Sequence, residues 1–313
     1  MRILISEFMD SDAVRSLEGR FDVHYDPKLV DQPDELATRA ADCDALIVRN
    51  RTQVRGALLA GAKRLRVVGR LGVGLDNIDC DACRDRGIEV IPATGANTVA
   101  VAEYVIATAF MLLRGAYLSS PDVAAGRWPR AALSEGRELA GKTLGLVGFG
   151  GIGRHTAMLA RALGMAAIAH DPAIAENDAA WQASGVAPTT LDALLSRADV
   201  ISLHVPLVPA TRHLIDARRI ATMKPSAVLI NTARGGVIDE AALALALREG
   251  RLAGAALDVF ETEPLPDGSA LADTPRLLLT PHIAGVTAES NERVSALIAE
   301  RVAAHLAPAG QVI

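Results

Sequence analysis

Three polar side chains in the second half of the chain follow short apolar runs, where a folded strand would end and acid–base chemistry could begin. His282 lies in Thr280-Pro281-His282-Ile283-Ala284-Gly285, directly after Leu277-Leu278-Leu279. An imidazole exchanges a proton near neutral pH, which suits a general acid and base. Glu263 lies in Asp258-Val259-Phe260-Glu261-Thr262-Glu263-Pro264. By itself it reads as a loop acid; beside His282 it would orient the ring and favour its protonated form. Arg234 follows Ala227-Val228-Leu229-Ile230 within Asn231-Thr232-Ala233-Arg234-Gly235-Gly236. Its planar fork can hold a carboxylate at two points. Contact among the three is an expectation for the fold to meet.

A second constellation points to a dinucleotide. Gly148-Phe149-Gly150-Gly151-Ile152-Gly153 matches G-x-G-x-x-G, after the apolar stretch Thr143-Leu144-Gly145-Leu146-Val147 and before a helical pattern over 153–163. Gly148 permits the tight turn, Gly150 lets backbone approach a pyrophosphate, and Gly153 lets helix and strand pack closely. The helix N-terminus then offers N–H groups to phosphate. Asp171 stands 18 residues beyond Gly153, after Ala166-Ala167-Ile168-Ala169-His170. A carboxylate there accepts the adenine-ribose hydroxyls and repels the extra phosphate of NADP, so NAD is expected. His204 follows Val200–Leu203 and precedes Val205-Pro206-Leu207, which reads as a structural turn beside the bound cofactor.

A third group is cationic. Arg49 and Arg51 sit in Val48-Arg49-Asn50-Arg51-Thr52, and Arg70 in Val68-Gly69-Arg70-Leu71-Gly72. Cys80 and Cys83 form a single C-x-x-C with no second pair at zinc-ligand spacing, so no metal site is expected. The absence of a G-x-S-x-G pattern weakens a serine hydrolase reading.

The elements that must carry these residues alternate strand and helix. Strand candidates at 3–5, 21–25, 45–48, 67–68 and 88–91 are separated by helical patterns, and a second series runs from 143 through 166–170, 200–203, 228–230 and 255–258. This repetition predicts α/β architecture, with two doubly wound parallel sheets covered by helices and a ligand cleft between the two domains. A long helical candidate over 98–118 separates the series, and a final helix is expected over 288–306.

Composition narrows the class. The chain has 313 residues, 50% hydrophobic and 22% charged, so it is neither disordered nor short of a core. Aromatics are only 3%, which leaves the core to Ala, Val, Leu and Ile. A net charge of −5 is unlike a nucleic-acid binder. The start Met1-Arg2-Ile3-Leu4-Ile5-Ser6-Glu7 lacks the form of a signal peptide, and the apolar stretch 99–113 contains Glu103 and is too short for a confident membrane span. Three cysteines favour a reducing compartment, so a cytoplasmic location is expected, with neither nucleic acid nor membrane as partner.

Taken together, Gly72-Val73-Gly74-Leu75-Asp76-Asn77, the glycine loop, Asn231–Gly235, Asp258–Pro264 and Thr280–Ile283 resemble the D-isomer-specific 2-hydroxyacid dehydrogenase family, in family order and over nearly the whole chain. The resemblance implies a flavodoxin-like substrate domain from 1–97 plus 286–313 and a Rossmann NAD domain over 98–285. It implies that His282 is the acid and base, Glu263 its carboxylate partner and Arg234 the substrate-carboxylate clamp. Leu71, Gly72, Val73 and Gly74 would offer backbone N–H groups to that carboxylate. Thr232, Ala233 and Asp258 would lie at the cofactor, Asp258 on the nicotinamide carboxamide. Arg49, Arg51 and Arg70 would meet a second anion on the substrate. A homodimer through the helix and arm after Asn97 is implied as well. Within the family, the 48–54, 69–77 and 92–97 stretches are similar to bacterial 3-sulfolactate dehydrogenases, so (S)-3-sulfolactate is the expected substrate; phosphoglycerate dehydrogenases share much of the pattern and make D-3-phosphoglycerate the alternative. An NAD-sensing corepressor is the alternative of a different class.

Overall fold

The computed structural model describes residues 1–307. The first sheet is built from β1 (Arg2–Ile5), β2 (Asp22–Tyr25), β3 (Ala45–Val48), β4 (Val67–Arg70) and β5 (Glu89–Pro92). Between them run α1 (Ser11–Glu18), α2 (Pro33–Ala40), α3 (Gly56–Gly61) and α4 (Cys80–Asp85). All neighbouring strands are parallel, in the order β2-β1-β3-β4-β5. That is the flavodoxin-like order, and its chain direction switches between β1 and β3.

The helix α5 (Thr98–Arg114) follows. The sequence pattern extends it to 118, but the chain ends it at Gly115, whose φ of 65° is left-handed. Short helices α6 (Ser120–Ala124) and α7 (Arg130–Leu133) lead to β6 (Thr143–Val147), α8 (Gly151–Ala162), β7 (Ala166–His170) and α9 (Ala179–Ser184). Then come β8 (Ala187–Pro188), α10 (Leu191–Arg197), β9 (Val200–Leu203), α11 (Ala217–Ile220), β10 (Val228–Asn231), α12 (Glu240–Arg248), β11 (Gly254–Leu257) and β12 (Leu277–Leu279). The order β12-β11-β10-β9-β6-β7-β8 is the Rossmann order with one strand added at an edge, and it switches between β6 and β9. The last helix, α13 (Ala288–Leu306), packs against α1 and β4 of the first sheet.

The chain thus forms two compact units, Thr98–Gly285 and Met1–Asn97 joined by the segment from Val286 onward; residues 308–313 of the expected first domain lie outside the described residues. Central strands are apolar on both faces because helices cover both: Ala45–Val48, Val200–Leu203, Val228–Asn231 and Gly254–Leu257 are buried at every position. Side-chain caps start the helices, with Asp10 on α1, Thr190 on α10, Asp239 on α12 and Thr287 on α13. No single helix is long and apolar enough to cross a membrane among the described residues.

Candidate active site

In the larger unit, the loop after β6 closes against the switch point. Gly148 has φ 95°, and a Cβ there would strike the His204 carbonyl at the end of the neighbouring β9. Only glycine meets both demands. Phe149 anchors the loop in two ways. Its N–H donates to Asp171 Oδ2 at 2.8 Å, and its fully buried ring stacks on Trp181 with centroids 4.7 Å apart. Phe149 is a site residue that the glycine pattern alone does not mark, because its role depends on Trp181 of α9.

The loop delivers Gly150 in extended conformation as a cap without a side chain, so the first turn of α8, including Gly151 and half-buried Ile152, presents unpaired N–H groups. A Cβ on Gly150 would meet nothing within 4 Å, which leaves the approach to those groups open. Asp171 Oδ1 also accepts the Ala173 N–H at 3.0 Å. Each carboxylate oxygen keeps a further lone pair for a hydroxyl. Gly153 packs under the Gly148 carbonyl, with the His204 ring alongside. Burial pushes the His204 imidazole down to about 4, so it is neutral at pH 7, and its Nε2 lies 3.0 Å from Ser202 Oγ. At the end of β10, Thr232 Oγ1 is buried with no hydrogen-bond partner among the described residues, beside buried Ala233. An open glycine cradle, a helix N-terminus, a strand-end carboxylate and an orphaned hydroxyl together fit a dinucleotide.

Because β10, β11 and β12 are parallel neighbours, their carboxyl ends bring Arg234, Asp258 and His282 to one edge. Asn231, buried at the end of β10, shapes the first loop: its Nδ2 donates to the Arg234 carbonyl at 2.9 Å and its Oδ1 accepts the Ala233 N–H at 3.0 Å. Gly235 lets this loop lie on the next one, since a Cβ there would strike the Phe260 carbonyl. Glu263 Oε1 accepts the Phe260 N–H at 3.1 Å, and Oε2 faces His282 Nδ1 at 2.7 Å. Burial raises the Glu263 pKa, but the hydrogen bonds from His282 and Phe260 and the positive charges of His282 and Arg234 outweigh it and hold the carboxyl below its ordinary range. An ionised carboxylate on Nδ1 fixes the imidazole so that Nε2 is the end left for a substrate.

Asp258 holds the His282 loop: it is 1% exposed, and both its oxygens accept from that loop. Oδ1 accepts from Thr280 Oγ1 at 2.6 Å and from the Ile283 N–H at 2.8 Å, while Oδ2 accepts the Ala284 N–H at 2.8 Å. The single Thr280 hydroxyl proton goes to Asp258, so Tyr104 of α5, 2.6 Å away, must donate to Thr280. His282 has φ 56°, a left-handed backbone that a non-glycine residue holds only when its surroundings impose it. Asp258, Thr280 and Tyr104 supply that constraint. Sequence spacing singles out neither Tyr104 nor Thr280.

The smaller unit carries the cationic group. Arg49 follows β3 and Arg70 ends β4. The Arg49 guanidinium lies 3.2 Å from Asn291 Oδ1 and 5.7 Å from the Phe8 ring centroid. Arg70 Nη1 donates to the Leu71 carbonyl at 3.2 Å, and its guanidinium lies across Gly72. Arg51 is used differently: its guanidinium pairs with Asp31 on the exposed surface. The 71–74 loop is also only partly available. The Leu71 N–H goes to the Val48 carbonyl and the Gly72 N–H to the Arg70 carbonyl, both at 2.8 Å. Val73 and Gly74 keep N–H groups with no partner among the described residues. Among the described residues no cluster of His, Cys, Asp or Glu could hold a metal, and Cys43, Cys80 and Cys83 are free thiols whose pKa burial raises.

A Rossmann sheet with a glycine cradle, beside a carboxylate-backed histidine and an arginine, defines a nicotinamide-dependent oxidoreductase of hydroxyl groups. The family model described as D-isomer specific 2-hydroxyacid dehydrogenase, NAD binding domain, matches residues 106–284. The chain is 58% identical over 300 residues to (S)-sulfolactate dehydrogenase of Chromohalobacter salexigens, covering 96% of each. It is 43% identical over 308 residues to D-3-phosphoglycerate dehydrogenase 2, chloroplastic, of Arabidopsis thaliana, covering 97% of this chain but 48% of that one. The chain thus spans about half the length of that relative. D-lactate dehydrogenase from Aquifex aeolicus, solved with NAD and lactic acid, superimposes with a TM-score of 0.83 at 29% identity, covering 97% of this chain and 95% of that one. The chain belongs to the D-isomer-specific 2-hydroxyacid dehydrogenase family and is an NAD-dependent oxidoreductase acting on CH–OH donors.

Proposed function

We propose that the chain interconverts (S)-3-sulfolactate and 3-sulfopyruvate, with His282 as general acid and base. The observation that carries the chemistry is the 2.7 Å contact between His282 Nδ1 and Glu263 Oε2, which leaves Nε2 to take the C2 hydroxyl proton or return it. NAD, held by the 148–153 cradle and Asp171, supplies the acceptor for the C2 hydride. Arg234 binds the C1 carboxylate at two points and polarises the neighbouring oxygen as charge develops on it. The Val73 and Gly74 N–H groups complete the carboxylate contacts, and Arg49 with Arg70 binds the sulfonate.

The 58% identity to (S)-sulfolactate dehydrogenase supports the substrate. Stereochemistry agrees: CH₂–sulfonate outranks carboxylate in naming, so the spatial arrangement called D in lactate is called S in sulfolactate. Identity of 43% to a phosphoglycerate dehydrogenase makes D-3-phosphoglycerate the second reading. Parallel NAD-reduction assays with (S)-sulfolactate, D-3-phosphoglycerate, D-lactate, D-glycerate and D-malate separate them. Sulfolactate should give the highest kcat/KM. A preference for phosphoglycerate would overturn the substrate, and no turnover of any of them would favour an NAD-sensing corepressor.

The arm after α5 exposes Tyr117 (69%) and Trp128 (76%), as well as Leu118 and Val123, an apolar group suited to a second copy of this chain. A homodimer is therefore part of the reading, checked by light scattering. Free cysteines fit a reducing cytoplasm.

A further inference from the structure

The smaller sheet switches chain direction between β1 and β3, and ligands of open α/β sheets bind beyond the carboxyl ends of strands at such a point. The two loops that meet there are Ser6–Phe8 and Arg49–Thr52. Glu7 is 4% exposed and spends its carboxylate on the other loop's backbone. Oε1 accepts the Arg49 N–H at 2.9 Å and the Thr52 N–H at 3.0 Å; Oε2 accepts the Arg51 N–H at 3.2 Å. Asn77 braces the same loop, its Nδ2 donating to the Arg49 carbonyl at 3.1 Å and the Thr52 carbonyl at 2.7 Å.

Phe8 then acts on the side chain that this loop carries. It is a large apolar residue left 48% exposed, with the Arg49 guanidinium 5.7 Å from its ring centroid, within cation–π range. Asn291 of α13 accepts from Arg49 Nη2 at 3.2 Å on a second edge. No carboxylate forms an ion pair with the Arg49 guanidinium among the described residues, in contrast to Arg51 and Asp31. The two groups in contact with the guanidinium, Phe8 and Asn291, are neutral, and the nearby Glu7 carboxylate is spent on backbone N–H groups and acts on the cation through space without pairing with it. A long arginine that is already ordered loses less rotamer entropy when an anion arrives.

We propose that Glu7, Phe8 and Asn291 are positioning residues for substrate choice, which hold Arg49 ready for the second anion of a doubly anionic 2-hydroxyacid. The inference rests on Arg49 as the distal-anion contact. Its readout is the ratio of kcat/KM for (S)-sulfolactate to that for D-lactate, which carries a methyl group in place of the anion. A general folding defect lowers both and leaves the ratio alone.

Phe8→Leu, which keeps apolar volume but loses the ring face, should lower the ratio about 2- to 5-fold, through KM for sulfolactate rather than kcat. Phe8→Tyr should restore it. Asn291→Ala should lower it about 2-fold or more, and Glu7→Gln, which turns an amide N–H toward backbone N–H groups, about 5-fold or more. In an Arg49→Ala background, Phe8→Leu should change the ratio no further, because the ring acts only through that guanidinium. If Arg49→Ala is selective for sulfolactate while Phe8→Leu and Asn291→Ala keep the wild-type ratio, the positioning role is overturned and the distal-anion contact stands. If Arg49→Ala lowers both substrates equally, the distal-anion contact itself fails, and the proposal with it.

Discussion

Replacing Asp258 by Asn tests whether the carboxylate serves the His282 loop or the cofactor. The buried carboxylate takes three donors on two oxygens, Thr280 Oγ1 and the Ile283 N–H on Oδ1 and the Ala284 N–H on Oδ2. An asparagine keeps one oxygen, and it does best to leave that oxygen with the two donors on the Oδ1 side. Its NH₂ group then faces the Ala284 N–H, two donors with no acceptor between them. Losing a hydrogen bond to a charged group costs about 1.5–3 kcal/mol, and a buried donor left unsatisfied adds about 1–3 kcal/mol. Asp258→Asn should therefore lose about 3–5 kcal/mol in urea unfolding. The left-handed backbone of His282 depends on the same bonds, so kcat should fall about 10- to 100-fold, while the dissociation constant for NAD, measured calorimetrically, changes by less than about 3-fold. Thr280→Val should act in the same direction with about 1 kcal/mol, the worth of one ordinary hydrogen bond. The reasoning is refuted if Asp258→Asn keeps its stability and turnover but loses NAD affinity tenfold or more, for the carboxylate would then belong to the cofactor.

His282→Ala should reduce kcat about 10²- to 10⁴-fold while leaving NAD affinity within a few-fold, the scale of a lost general acid and base; near-normal turnover at saturating substrate would remove the role. Asp171→Ala should narrow the preference for NAD over NADP, read as the ratio of the two kcat/KM values, and an unchanged ratio would place discrimination elsewhere. The loop should loosen too, since the Phe149 N–H loses its acceptor. His204 adds a pH dependence. Its pKa is about 4 in the folded chain, against about 6.5 when unfolded. Between those values the unfolded chain binds the extra proton, so stability rises with pH. The contribution is complete above about pH 6.5 and is lost as pH falls toward about 4, a change of about 3 kcal/mol at most. His204→Gln should flatten the slope of unfolding free energy against pH over that window, and an unaltered slope would refute the buried neutral ring.

The sequence by itself determined the parts of this protein that are local. Apolar runs bounded by turn residues marked the strands, since a strand covered on both faces must be apolar at successive positions. The G-x-G-x-x-G pattern marked the nucleotide loop, because the left-handed turn at Gly148 against the His204 carbonyl requires a residue without a side chain, while a bare Gly150 leaves the helix start open to a ligand. Tertiary structure decided every question of partnership. Strand order brought Arg234, Asp258 and His282 to neighbouring strand ends. It set Asp258 beneath the His282 loop, paired Arg51 with Asp31, and spent the Leu71 N–H on the neighbouring strand and the Gly72 N–H in a local turn. It also brought Glu7 and Phe8 to Arg49 and Tyr104 to Thr280, contacts that no motif announces. The reason is range. Backbone preference is set by a residue and its immediate neighbours, whereas a hydrogen bond forms only between groups within about 3 Å of one another, and which groups those are is settled by strand order, helix packing and loop path.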